Sequence, residues 1–148
     1  MAVSHNFTQF SHRMDIRAGQ IGRNLPKLMQ KVALAVHREV VLGTPVDTGK
    51  ARSNWQVSVG VPAPHTIPPY APGSKLGLAE AANAQAALAQ GVSALAGYGS
   101  PTTIWITNNV HYIGILNTGS SAQAGAFFVQ TAALHGALVA SRGRLFDG

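Results

Sequence analysis

Cysteine is absent from this chain, so neither a disulfide nor a thiolate metal site is open to it, and the composition fits a protein made in a reducing cytoplasm. Acids are nearly as scarce. Five Asp and Glu stand against eleven Lys and Arg, which gives a formal net charge of +6 and a pI of about 10.4. So few carboxylates leave little for a mechanism in which one carboxyl is the acid and another the base. The six histidines are scattered without the spacing of a zinc site, and no serine sits in a nucleophile elbow. No catalytic residue, cofactor or metal is expected, and the chain reads as a non-enzyme. Long apolar runs are missing too: although 46% of residues are hydrophobic and the mean hydropathy is +0.12, nothing approaches the ~18 residues of a membrane span. The N-terminus lacks the basic-then-apolar layout of a secretory signal.

Charged residues of either sign make up only 11% of the chain. So low a density suits a surface covered by neighbours better than that of a free monomer. The positive balance favours an anionic partner, nucleic acid or the acidic face of another protein, although a basic surface kept for solubility reads equally well. At 148 residues the chain is long enough for one domain with a real core.

What is present centres on Gly43-Thr44-Pro45-Val46-Asp47-Thr48-Gly49-Lys50-Ala51-Arg52-Ser53-Asn54-Trp55. Gly43 and Pro45 stop a helix. Asp47 and Thr48 can accept from backbone N–H groups further on, and Gly49 can take a positive φ. Two chemical readings compete with this structural one. A phosphate loop fails because five residues, not four, separate Gly43 from Gly49-Lys50, and Ala51 replaces the magnesium-binding hydroxyl. An aspartic-type protease could use Asp47-Thr48-Gly49, but the second copy, Leu116-Asn117-Thr118-Gly119, carries an asparagine that cannot ionise.

Upstream, residues 1–22 read as a flexible arm or weak helix, loosened by Gly19 and Gly22, with a fresh helix starting at Leu25-Pro26. From there to Leu42, Leu25, Met29, Val32, Val36 and Val40 form an apolar stripe. Arg23, Lys27, Lys31 and Arg38 form a basic face, interrupted by Leu34 and Val41 as candidate partner contacts. The face is either solvated or turned to DNA or an acidic subunit. Downstream, Trp55, Val57, Val59 and Val61 alternate with polar or small residues as a half-buried strand. Residues 61–97 read as an insertion between two core strands. Its proline-rich part, residues 62–73, could extend roughly 35–40 Å as polyproline II and clasp a neighbouring subunit through Ile67 and Tyr70, and reads equally well as a disordered lid. Residues 74–96 form an alanine-rich helix with an apolar stripe of Leu78, Leu88, Val92 and Leu95, Ser74 as cap and Gly97 as stop. Residues 102–107 are a second strand, and 110–117 a strand or short helix. Residues 127–142 are a helix with Phe127, Leu134 and Leu138 on one track and Phe128, Ala132 and Val139 on the next. The whole is an α+β single domain, with a long N-terminal helix on a small antiparallel sheet and a C-terminal helix.

The run Thr44–Ser53 resembles the "T-P-V-D-T-G-x-L-R-x-S" hallmark of a bacteriophage family of minor tail, or head–tail joining, proteins. Asn108–Ser120 is similar to a later family segment, "Y-A-x-x-x-E-x-G-T". Ala51 stands where leucine is usual and Asn117 in or near the place of the glutamate. The resemblance implies a structural virion protein of the neck or tail top, assembled in the bacterial host cytoplasm as a homo-oligomeric ring around the DNA channel. By the same resemblance Pro45, Asp47, Thr48, Gly49 and Arg52 would fix the turn. Ile67, Tyr70, Tyr112, Leu116 and Gly119 would meet adjacent subunits, and neighbouring neck and tail proteins would be partners. A small basic DNA-binding protein and the Asp47 protease are the alternatives. No membrane contact is expected.

Overall fold

Helix α1 runs without a break from Ala2 to Gly43 in the computed structural model, which describes residues 2–45, 49–72, 79–119, 122 and 125–146, with side chains from Asn6 onward. Its 42 residues make a rod roughly 63 Å long at 1.5 Å per residue. A new start at Pro26 is therefore corrected: Pro26 lies inside the helix, buried. Proline removes one N–H and crowds the carbonyl four residues back. That residue is Gly22, which is exposed and has nothing within 4 Å of where a Cβ would lie. Its carbonyl can tilt to water, and the helix passes through.

The remaining elements are α2 (Lys50–Ser53), β1 (Gln56–Val59), α3 (Glu80–Leu95), β2 (Ile104–Thr107), α4 (Ile113–Asn117) and α5 (Phe128–Ser141). The architecture is α+β: a long N-terminal helix, a two-stranded antiparallel sheet and a C-terminal helix. The proline-rich segment and α3 lie between the paired strands. In the sheet Val57 faces Ile106 and Val59 faces Ile104. The strand alternation holds for Trp55 and Val57, both buried, and then runs out, since Val61 is 72% exposed. The outer edge of β1 is closed by a side chain: Gln90 of α3 accepts the Val57 N–H and donates to the Val57 carbonyl, both at 2.9 Å. A two-stranded sheet is marginal alone, and an uncovered edge invites further pairing.

One core gathers Val40 and Val41 of α1, Trp55, Ala84 and Ala87 of α3, and Phe128 and Ala132 of α5. A second joins Ala33, Val57 and Leu95, with Leu34 packed against it. Val41 is thus a core residue and not an interruption offered to a partner, and Leu34 is partly buried against the second core. The stripe expected on α3 holds at Leu88, which packs on the first core, and at Leu95, which is buried, and is corrected at Val92. Val92 is 57% exposed, whereas Asn83, Ala84, Ala87, Gly91 and Leu95 are buried. Small residues face inward because the helix lies so close: a Cβ on Gly91 would fall 2.5 Å from His37 Nδ1 and 3.2 Å from Val57 Cγ2. Leu78 and Ser74 lie outside the described residues. On α5 the buried track is Phe128, Ala132 and Gly136, against α1 at Val36.

Candidate functional site

An α-helix leaves its last carbonyls without intrahelical donors, and a cation placed there also meets the negative end of the helix dipole. The segment after α1 supplies both. Thr44 donates its hydroxyl to the Val40 carbonyl and accepts the indole N–H of Trp55 at 2.7 Å. Arg52, only 6% exposed, reaches back to the carbonyls of Thr44 at 2.9 Å and Leu42 at 3.4 Å. Its other terminal nitrogen pairs with Glu80 of α3 at 3.1 Å. The Thr-Pro…Arg-x-x-Trp spacing is therefore a cap for the long helix, delivered by the next elements of the chain. Pro45 and Gly49 are buried in the turn, and Gly49 has φ +80°. Asp47 and Thr48 lie outside the described residues.

Arg52 thus supports its own chain. The acid it uses comes from the alanine-rich helix and not from the Asn117 position. Asn117 instead accepts the Val129 N–H and donates to Gln130, which secures the start of α5. Because Glu80 is half exposed while Arg52 keeps two carbonyls, Glu80→Ala should cost about 1 kcal/mol or less. Urea denaturation would read this, and a loss several times larger would mean that the ion pair, and not the carbonyl contacts, holds Arg52.

Around the cap lies a set of buried amides that sequence reasoning missed. Asn54, fully buried, accepts the Ile67 N–H and donates to the Ile67 and Lys50 carbonyls at 2.7–2.8 Å. Asn83, also fully buried, accepts from Ser53 Oγ and the Ala71 N–H and donates to the Ala71 carbonyl. Gln56 and Asn109 add bonds to the carbonyls of His65 and Ala63. Proline-rich backbone cannot enter a ladder, and here single side-chain amides take the ladder's place. The segment is consequently bound along its own chain. Tyr70 keeps 41% of its surface exposed. Leu116 packs on the chain's own core, and Gly119 turns at φ +91° with Ala126 against it. Tyr112 is partly buried, in edge contact with His111 at 5.0 Å.

His37 is 1% exposed, and its Nε2 lies 2.9 Å from the Trp55 carbonyl, so Nε2 carries the proton. Nδ1 has no hydrogen-bond partner among the described residues and abuts Gly91. Burial lowers the pKa of this ring from its ordinary 6.5, and the Trp55 carbonyl opposes that shift only in part. Between the folded value and 6.5 the unfolded chain holds a proton that the folded chain does not. This contribution to stability is therefore intact above about 6.5 and declines as the pH falls from there toward the folded value. Denaturant midpoints from pH 7.5 to 5 should fall for the native chain and fall less for His37→Gln.

Arg23, Lys27, Lys31 and Arg38 are all exposed, and none of them is ion-paired among the described residues. Among the described residues no group of His, Cys, Asp or Glu could hold a metal, and no helix is long and apolar enough to cross a membrane. Large uncovered apolar side chains include Phe7, Phe10 and Met14 on α1, and Phe127, Leu134 and Leu138 on or beside α5, each about half exposed or more. Comparison with protein-family models, curated proteins and solved structures found no match to this chain.

Proposed function

We propose that this chain is a structural virion protein of a tailed bacteriophage, a neck or tail-completion component that forms a homo-oligomeric ring at the junction of tail and head. The observation that carries the reading is the pairing of large uncovered apolar stripes on two helices with a surface of very low charge. Such surfaces belong to proteins that are covered by neighbours. The capped turn supports the same reading, because Thr44, Gly49 and Arg52 each have a structural task in it. The work of the protein on this view is to present surfaces, with no bond made or broken. The decisive experiment is to purify particles and assay them for this chain at constant copy number. Its absence from particles, with the free chain a monomer at all concentrations, would end the proposal.

The exposed basic face favours a second reading, contact with duplex DNA, in the channel or as a free DNA-binding protein. Four phosphate contacts would give a log–log salt slope of about −3.6, hence a loss of roughly 10² in affinity between 50 and 200 mM salt. Affinity insensitive to salt, or unchanged when Lys27 and Lys31 become Glu, would remove it.

A further inference from the structure

Helix α1 leaves the body of the protein before it ends. Every residue from Asn6 to Ala18 is exposed, over roughly 20 Å of helix. Phe7, Phe10 and Met14 are 70%, 54% and 49% exposed and fall at i, i+3 and i+7, on one face. Further along, the same face is covered by α5 and its tail, which run antiparallel from Gly43 past Val36 and Leu28 to Arg17. The stripe that takes a helix in one half of the rod is bare in the other. A helix of this length projecting alone is marginal in water, and burial of its apolar face is what stabilises it.

Helix α5 has the matching deficiency. Opposite the track packed on α1 it carries Phe127, Leu134 and Leu138, exposed by 55%, 69% and 55%, over about 17 Å. Beside Leu134 and Leu138 lies an open depression of about 400 Å³, room for an aromatic ring. The chain's own overhang cannot fill it. The rod is continuous, so the overhang points away from α5, and any contact between the two stripes is between molecules.

We infer that the α1 overhang of one copy docks on the outer face of α5 of the next. At about 200 Å² per large side chain, the six residues expose roughly 600–700 Å². With apolar atoms forming a little over half of an ordinary interface, the buried total comes to about 1,200 Å², the lower edge of the stable class. Pairing of two overhangs is the weaker solution. It would bring Arg17, the next position of the i, i+3, i+7 repeat, against its own copy, and it would leave α5 bare. A contact between unlike surfaces also repeats from copy to copy, as a ring requires, whereas a like-with-like contact closes at two. The choice of a second copy as partner rests on the ring proposed above.

Because the chain has no cysteine, single-cysteine variants report contacts without background. Phe10→Cys mixed with Leu134→Cys or Leu138→Cys and oxidised should give a covalent dimer at least about tenfold above either variant alone, as the geometry of a disulfide demands close approach. Phe7→Ser with Phe10→Ser should lower the sedimentation mass while the circular dichroism of the body is retained. Preferential cross-linking of Phe10→Cys to itself, or an unchanged mass in the serine variant, would overturn the contact. Particle association is scored separately. The chain in particles without the mixed cross-link removes this contact and leaves the virion reading. The cross-link in a chain absent from particles does the reverse.

Discussion

Gly49→Ala is expected to lower stability by about 2–5 kcal/mol, or roughly 5–20 °C in melting temperature for a chain of this size. Two causes add. At φ +80° an L side chain strains the backbone by about 1–2 kcal/mol. The new Cβ would also lie 2.2 Å from Asn83 Nδ2, well inside contact distance. Asn83 is fully buried and cannot swing to solvent, so its bonds to Ala71 and Ser53 are broken or bent, at about 1–3 kcal/mol for buried groups left unpaired. The two causes separate in a double-mutant cycle. In an Asn83→Ala background the clash is gone and Gly49→Ala should cost only the backbone strain, leaving a coupling of about 1–3 kcal/mol. Strict additivity in urea denaturation would show that the glycine is needed for its dihedral alone.

The second large effect is one of sign. In an exposed helix interior, glycine to alanine stabilises by about 0.5–1 kcal/mol. Gly91→Ala in α3 should instead destabilise, by up to about 2.5 kcal/mol, the ordinary cost of overpacking, about 1–3 kcal/mol, less that gain. The added methyl meets His37 Nδ1 at 2.5 Å and Cε1 at 2.8 Å, and the ring is fixed by its bond to the Trp55 carbonyl. The displaced helix would carry Gln90 away from the edge of β1, so sheet and helix should loosen together. A more stable Gly91→Ala protein would show that α3 does not approach α1 as closely as described.

Sequence pattern was most informative where one period dominates. The apolar spacing from Leu25 to Val40, the alternation after Trp55, the β-branched run at 102–107 and the helix-to-strand turn all correspond to elements or their junctions. It was least informative where a single contact outweighs a propensity. Pro26 reads as a helix start because proline usually is one, yet Gly22 behind it relieves the crowding. Val92 reads as core by hydropathy, but the inward face admits only residues as small as Gly91. The short helix α2 inside the turn was too brief for any periodicity. Asn83 did leave a trace, as a poor helix former alone in an alanine run. What no pattern carries is its partner, since Ala71 is matched to it only by the folded path of the chain. The outward track of α5 was legible as Phe127, Leu134 and Leu138 lying together. That it faces away from α1 was not.

The side-chain amides that bind backbone groups have a further consequence for solvent exchange. The N–H groups of Val57, Ile67 and Ala71 each donate to a side-chain oxygen, from Gln90, Asn54 and Asn83 respectively. Ile67 and Ala71 sit in a stretch without regular structure, where neighbouring protons should be replaced by deuterium within seconds. These two should persist as slow protons together with that of Tyr70, whose N–H donates to Ser53 Oγ. Those of Tyr70 and Ala71 should become labile together when the Ser53–Asn83 link opens, because both rest on that pair.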